Sequence, residues 1–176
     1  PIKIAIASGL PKGDKLDWIV QKGTELGAHL FIPFAAKRSI VKWDKKKGAK
    51  KRDRLQKIAK EAAEQSYRTY IPEVRQPVSF SEMLDISNQF DYKLVAYEED
   101  AKENERETFY HTLSSINDGE SLFFVFGPEG GLTEDEITLL KHNGFKTCSL
   151  GPRILRTETA PLYVLAAVSY HTELMR

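Results

Sequence analysis

A chain of 176 residues with 41% hydrophobic and 29% charged side chains is long enough for one globular domain with a buried core, and its composition excludes a disordered chain. No apolar run approaches the roughly 18 residues of a membrane span, and no basic start leads into an apolar stretch of the signal-peptide kind. The single cysteine, Cys148, excludes an internal disulfide and fits a reducing cytoplasm. The first residue is Pro1 and not Met, which fits a processed or truncated chain.

The net charge of +1 hides an asymmetry. Twelve cations fall between residues 37 and 60: Lys37, Arg38, Lys42, Lys45, Lys46, Lys47, Lys50, Lys51, Arg52, Arg54, Lys57 and Lys60. Only Asp44 and Asp53 oppose them there, so the remainder is acidic. Such a segment reads either as a solvated lysine-rich surface or as a polyanion-binding one that acts over a Debye length, ~8 Å at physiological salt. Self-repulsion among the cations favours the second reading.

In chain order, Ile2–Ala7 alternates as a strand does, and Pro11, Gly13 and Asp14 break it. Asp14 can cap a helix to about Leu26, with Trp18, Ile19, Lys22 and Leu26 at helical spacing and Gly27 closing it. Leu30–Phe34 is a second strand, completing a βαβ unit. The basic segment then reads as a loop through Gly48 and a helix from about Lys50 to Ser66, with Leu55, Ile58, Ala59, Ala62 and Ala63 on one face. Pro72 and Pro77 mark an irregular connection, and Ser79 or Ser81 opens a short helix. Tyr92–Tyr97 is a strand with a polar exit at Glu98-Glu99-Asp100, followed by a helix around Glu105–Ser115.

Leu122–Phe126 is unbroken by polar residues, as a parallel strand covered on both faces should be. Thr133 and Glu136 stand at capping-box spacing before a helix that Gly144 ends. Lys146–Leu150 is a further strand, and Thr157 or Thr159 starts a last, apolar helix to about Leu174, with Pro161 early. Strands alternating with helices predict a single α/β domain over residues 1–176, with a mostly parallel sheet covered by helices.

Two glycine-rich stretches follow strands: Gly127-Pro128-Glu129-Gly130-Gly131 and Leu150-Gly151-Pro152-Arg153-Ile154-Leu155-Arg156-Thr157-Glu158-Thr159. Ligands in open parallel sheets bind beyond the carboxyl ends of strands, so both stand where a site belongs. Backbone without Cβ approaches a ligand closely, which suits an adenosine-like group, with Leu150, Ile154 and Leu155 as apolar walls. Taken alone, the first stretch is also an ordinary strand-to-helix turn. No Gly-Lys-Ser/Thr follows it, which excludes a P-loop, and it is not a Gly-x-Gly-x-x-Gly turn.

Arg153 and Arg156 offer forked donors for carboxylate or phosphate. Thr157, Glu158 and Thr159 can cap the last helix; the alternative is that Glu158 merely complements its dipole and Arg156 pairs with it, which accounts less well for an arginine between two apolar residues and a cap. Glu129 either orients backbone N–H groups or an arginine, or is a solvated turn residue. His29, His111, His142 and His171 are scattered and Cys148 lies in a strand, so no metal site is read.

These residues resemble the SPOUT class of S-adenosylmethionine-dependent RNA methyltransferases, and within it the family that methylates N3 of a uridine in 16S ribosomal RNA. The matching stretches are Leu10–Lys15, Gln21–Gly27, Glu61–Ser66, Gly127–Leu132 and Leu150–Thr159, which span nearly the whole chain. The resemblance implies a deep C-terminal trefoil knot, against the rule that chains do not thread loops. It implies a homodimer through the knot and last helix, and 16S rRNA of the small ribosomal subunit as partner. The family's N-terminal RNA-binding β-barrel domain is absent from this chain.

The implied cofactor is S-adenosyl-L-methionine, leaving as S-adenosyl-L-homocysteine. Its implied pocket comprises Tyr97, Phe126, Gly127, Pro128, Glu129, Gly130, Gly131, Leu150, Gly151, Ile154, Leu155, Arg156, Thr157 and Thr159. Arg156, with Glu129 or Glu158 as base, is the implied catalytic set. Lys12, Lys15, Lys22, Arg38 and Arg68 are candidates for RNA phosphates. The competing readings are an RNA-binding module without catalysis, and an enzyme that holds a nucleotide or phosphate at Gly127–Gly131.

Overall fold

The computed structural model describes residues 1–175. Six strands, β1 (Lys3–Gly9), β2 (Leu30–Phe34), β3 (Glu73–Val74), β4 (Tyr92–Ala96), β5 (Ser121–Phe126) and β6 (Lys146–Cys148), form one sheet in the order β3-β2-β1-β5-β4-β6. Every ladder between them is parallel. The helices are α1 (Lys15–Glu25), α2 (Lys45–Gln65), α3 (Phe80–Ser87), α4 (Glu98–Lys102), α5 (Thr108–Ser115), α6 (Glu134–His142) and α7 (Thr159–Ser169). A π-helical turn over Tyr170–Leu174 extends α7 to the end expected for a single helix.

The period of the strands decides the layering. Along β5, Leu122, Phe124 and Phe126 pack with α1, α2, α5 and α7 through Ile19, Leu55, Leu113 and Val164. Phe123 and Val125 point the other way, with Met83 of α3 and Ile137 and Leu140 of α6. A strand covered on both faces has no room for a polar side chain, which is why β5 reads as an unbroken apolar run. The register sets Ser8 of β1 beside Phe126 of β5, so these strands deliver their following loops to the same rim.

Local chemistry fixes several helix starts. Thr133 accepts from the Glu136 backbone N–H at 3.1 Å, and Glu136 accepts in return from the Thr133 N–H at 2.9 Å, the expected capping box. Ser79, not Ser81, caps α3 in the same reciprocal way. Glu136 is 2% exposed and also accepts from the Lys37 N–H at 3.2 Å, which fastens the chain after β2 to the start of α6.

The structure corrects four expectations. Helix α2 begins at Lys45, because Asp44 accepts from the Lys47 N–H at 2.8 Å, and Gly48 lies inside the helix, buried beside Pro77. The expected polar exit at Glu98 is the helix α4, supported by Lys102, which pairs with Glu99 at 2.9 Å and Glu98 at 3.6 Å. A short strand, β3, pairs with β2 where an irregular connection was expected, its Val74 N–H and C=O taken by Gln56 and Arg52 of α2. Trp18 stands 54% exposed, and the buried face of α1 is Leu16, Ile19, Val20, Gly23 and Thr24.

Among the described residues no helix is long and apolar enough to cross a membrane.

Gly23 shows how tightly α1 lies on the sheet. A Cβ there would sit 2.8 and 2.9 Å from ring atoms of Phe31 in β2. Helix propensity alone favours alanine over glycine by about 1 kcal/mol. Overpacking costs ~1–3 kcal/mol, and the neighbour is a buried ring with nowhere to go. Gly23→Ala is therefore expected to destabilise the fold, and urea denaturation with a lowered midpoint at unchanged slope checks it.

Candidate active site

Beyond the carboxyl ends of β4, β5 and β6 lies a cleft of about 600 Å³. Its lining includes Tyr97 after β4, Phe126 through Leu132 after β5, and Leu150 with Arg153 through Thr157 after β6. Of the fourteen residues expected in the donor pocket, Gly151 and Thr159 stand outside this lining and the others are in it. The cleft therefore joins the two glycine-rich stretches, which leave different strands.

The first loop is held in shape from three sides. It turns at Gly131, whose φ of +76° is open to glycine and whose N–H donates to Pro128 O at 2.8 Å. A Cβ at Gly127 would lie 3.1 Å from Leu132, so the turn closes on itself there. Arg38, from the segment after β2, donates through Nη1 to Gly130 O at 3.2 Å. Glu129 reaches back to the segment after β1, where Oε1 accepts from the Lys12 N–H at 2.7 Å and from Lys15 Nζ at 3.1 Å.

Burial pushes the Glu129 carboxyl upward, but the Lys12 N–H, the residue's own N–H and the Lys15 ammonium outweigh it and hold the carboxyl below its ordinary value. Glu129 is thus neither a solvated turn residue nor an arginine partner. It is a brace between two strand ends.

The second loop is anchored at its root. Ser149 donates through its N–H to Glu105 Oε2 at 2.9 Å and through its hydroxyl to Glu105 O, which ties the exit of β6 to the segment between α4 and α5. Glu105 also accepts from the Glu107 and Thr108 N–H groups, and these bonds outweigh its burial to keep the carboxyl low. Gly151, at φ +102°, then turns the chain toward α7.

Arg153 and Arg156 project from this loop exposed, and no hydrogen bond or ion pair engages either guanidinium among the described residues. The alternative pairing of Arg156 with Glu158 is not formed among the described residues. Glu158 instead lies 3.9 Å from Lys15 Nζ, its Oε2 buried without a hydrogen-bond partner, and it makes no side-chain cap of α7.

Two wall features, an acidic side and Cys148, escaped the sequence. Glu98 and Glu99 of α4, where a polar exit was expected, and Glu134 at the start of α6 line the side of the cleft. Burial first, then Glu99 and Glu134, raises the Tyr97 phenol, so its hydroxyl stays protonated as a donor. Cys148 forms part of the lining, and burial raises its thiol far enough to keep it uncharged and unreactive.

The basic candidates separate. Lys15 and Arg38 line the cleft. Lys12 contributes its backbone N–H to the rim. Lys22 lies farther along α1, 3.8 Å from Glu25 and over the Trp18 ring. Arg68 is part-buried and spends Nη1 on Thr24 O at 2.9 Å and Ala28 O at 2.7 Å, at the opposite end of α1. It closes that helix and does not reach the cleft. His29 is likewise structural: burial first, then Arg68, holds it neutral, and its Nδ1 accepts weakly from the Ile4 N–H. Among the described residues no group of three or more His, Cys, Asp or Glu could hold a metal ion.

An RNA methyltransferase domain family matches residues 1–169 of the chain. The Bacillus subtilis ribosomal RNA small subunit methyltransferase E is 62% identical over the whole chain, which spans 69% of that relative. A solved methyltransferase from Legionella pneumophila, in complex with S-adenosylmethionine, is 34% identical over 96% of the chain and 66% of its own, with a TM-score of 0.85. The Neisseria gonorrhoeae ribosomal RNA small subunit methyltransferase E, bound to S-adenosyl methionine, is 34% identical over 97% of the chain and 67% of its own, with a TM-score of 0.83. The chain thus spans about two thirds of each of these three proteins.

The Glu129 brace carries its own pH signature. Its carboxyl is lowered on folding, so its contribution is complete above the unfolded-state value, ~4.3, and is lost as pH falls through the lower folded value. Glu129→Gln is expected to cost on the order of 1 kcal/mol at pH 7, and the deficit should vanish in acid. Thermal unfolding of both proteins between pH 7 and pH 3 checks it: the two melting curves should converge as pH falls.

Proposed function

The chain belongs to the RNA methyltransferase domain family, and on that footing we propose that it transfers a methyl group from S-adenosylmethionine to N3 of a uridine in 16S ribosomal RNA of the small subunit. The observation that carries this reading is the two-loop cleft with an unengaged arginine at its edge. Both the family match and the donor-bound neighbours support the donor class.

The cleft suits such a donor on its own terms. Its volume lies within the range of small-molecule sites, ~300–1,000 Å³. Phe126, Leu132, Leu150 and Leu155 give apolar walls, and Gly127, Gly130 and Gly131 bring backbone without Cβ to the lining. Glu98, Glu99 and Glu134 give the negative wall that a cationic ligand needs. When bound, S-adenosylmethionine supplies an electrophilic methyl group on a positively charged sulfur.

The chain's own residues must then position the uracil, take its N3 proton and stabilise the negative charge that spreads onto its oxygens. Arg156 has the fork geometry and the free donors for that charge, alone or from the partner subunit. For the base, the two candidate carboxylates differ. Glu129 is saturated by Lys12 and Lys15 and held low, which makes it a weak base. Glu158 keeps one oxygen without a hydrogen-bond partner, but that oxygen is buried and Glu158 stands outside the cleft lining, so neither carboxylate is placed to take the proton. Lys15 and Arg38 meet phosphates at the rim, where they position RNA without reading its sequence.

The protein acts as a homodimer in the cytoplasm. Support for the dimer comes from large apolar side chains left exposed along α7 and its last turn, Tyr163, Tyr170, Leu174 and Met175, with Trp18 on the neighbouring α1. The C-terminal knot belongs to the same proposal. Its support is that β6 pairs outside β4 while its exit is stitched by Ser149 to the α4–α5 segment.

Calorimetry should detect binding of S-adenosylmethionine or S-adenosylhomocysteine to the chain, and absence of heat and of thermal stabilisation by both would remove the donor assignment. Arg156→Ala is expected to lower the single-turnover rate of methyl transfer to 16S rRNA by about 10²–10³, while donor affinity stays within a few fold. Equal loss of both would move Arg156 from the transition state to the donor. Identification of the product as 3-methyluridine checks the position.

A further inference from the structure

The basic segment resolves into two populations. Lys37, Arg52, Arg54 and Lys57 are each engaged: Lys37 with Asp135, Arg52 with Asp53 and Val74 O, Arg54 with Asp17 at 2.8 Å, and Lys57 with Glu61. Lys42, Lys45, Lys46, Lys47, Lys50 and Lys51 make no ion pair among the described residues. These six occupy ten consecutive positions, through the first two turns of α2. The one carboxylate among them, Asp44, accepts from the Lys47 N–H.

The arrangement is costly in the free protein. Three lysines, Lys45, Lys46 and Lys47, fill the first turn of α2, which contains no acidic residue. That end of a helix carries partial positive charge and ordinarily attracts acids. Lys51 is lowered by burial and then by Lys47 and Arg54, a second sign of crowded positive charge. Its ammonium lies 4.4 Å from the ring centre of Trp43, and Trp43 packs on the core, so the start of α2 is seated firmly. Local charges were placed against local stability, and nothing within the described chain neutralises them.

Their place in the fold gives them a use. The segment leaves the carboxyl end of β2, passes Arg38, which touches Gly130 of the cleft, and enters α2 at Asp44. Arg54 binds Asp17 in the first turn of α1, beside Lys15, which lines the cleft. The lysines therefore lie on the rim that holds the cleft, while the amino ends of the strands carry the opposite rim. The patch offers one large exposed apolar side chain, Ile40, too little for insertion into a lipid surface.

We propose that the amino-terminal part of α2, through Lys42, Lys45, Lys46, Lys47, Lys50 and Lys51, grips the phosphate backbone of the RNA that flanks the nucleotide in the cleft. The proposal rests on the RNA methyltransferase reading. Being a row of ammonium groups, the surface supplies affinity and direction and does not read bases.

The test uses the chain as it is, with Lys46→Gln/Lys47→Gln/Lys50→Gln as the variant, since glutamine keeps helix propensity. Lys3→Gln/Lys141→Gln/Lys146→Gln, on the opposite rim, makes the same change in net charge. Binding to purified 16S rRNA is followed by filter retention across a salt series. Loss of three phosphate contacts should reduce the slope of log K against log salt by about 2 and weaken binding about tenfold or more near 0.15 M salt. The opposite-rim variant should match the parent, and calorimetric donor binding should be unchanged in both.

Parent-like RNA binding by the α2 variant would overturn the proposal, as would equal weakening by both variants, which would mean net charge alone. So would loss of binding to phosphatidylserine vesicles with RNA binding intact, which would make the surface a lipid site. If the α2 variant loses RNA while the parent binds RNA but transfers no methyl group, the surface stands and the catalytic reading falls. If the parent transfers methyl groups and the α2 variant is unaffected, the reverse holds.

Discussion

The close approach of Gly9 to Pro128 determines where the first glycine loop can go. Strands β1 and β5 run side by side, and a Cβ on Gly9 would lie 2.6 Å from Pro128 Cδ and 2.9 Å from its nitrogen. The loop after β5 can therefore fold over the end of β1 only because that end carries no side chain. Once there, Glu129 is within reach of the Lys12 N–H and of Lys15, and one carboxylate joins the ends of two strands. Lys15 also stands 3.9 Å from Glu158, which relates the same point to the start of α7. A contact between a glycine and a proline thus sets the spacing of the cleft, and the electrostatic brace holds what the contact permits.

The cleft that results is electrically divided. Glu98, Glu99 and Glu134 stand on elements that follow β4 and β5, while Arg153 and Arg156 stand on the loop after β6 and Lys15 and Arg38 on the rim. A donor that carries positive charge on sulfur and an acceptor that carries phosphates need opposite surroundings in one space. The parallel sheet supplies both, because each strand delivers a separate loop to the same end, and each loop carries its own sign.

What could be read in advance was whatever short-range chemistry decides. The unbroken apolar run of β5 and the Thr133–Glu136 box are written in adjacent residues, so their positions followed from spacing. The pairing of the two glycine stretches came from their places after strands and from family resemblance. The start of α2 was hidden because Gly48 ordinarily weakens a helix. Only Pro77, far along the chain, shows why a bare backbone is wanted there. Arg68 looked like a phosphate ligand by charge alone. Its two carbonyl partners, Thr24 and Ala28, lie 44 and 40 residues away, and no local pattern announces them. The acidic wall was missed for the same reason: α4 is a five-residue helix whose support is ion pairing on its own surface and packing against β6.

The fate of the carboxylates shows why distance decides roles that residue type cannot. Glu105, Glu129, Glu136 and Glu158 all lie in the carboxyl-end half of the fold's connections, and on sequence Glu129 and Glu158 are the candidate bases. Glu105 holds Ser149, Glu107 and Thr108 and is kept low. Glu136 is buried and occupied by Lys37 and Thr133. Glu129 is occupied by Lys12 and Lys15. A carboxylate that already accepts two or three hydrogen bonds gives up part of them when it takes a proton, so Glu105 and Glu129 resist protonation. Glu158 differs in that one buried oxygen has no donor and the nearest cation is beyond hydrogen-bond range. A buried acceptor left open is expensive to maintain in a folded chain, whereas the exposed Arg156 stays solvated at no such cost. Of the two, Arg156 is the group that stands in the cleft to meet negative charge, while Glu158 lies outside its lining.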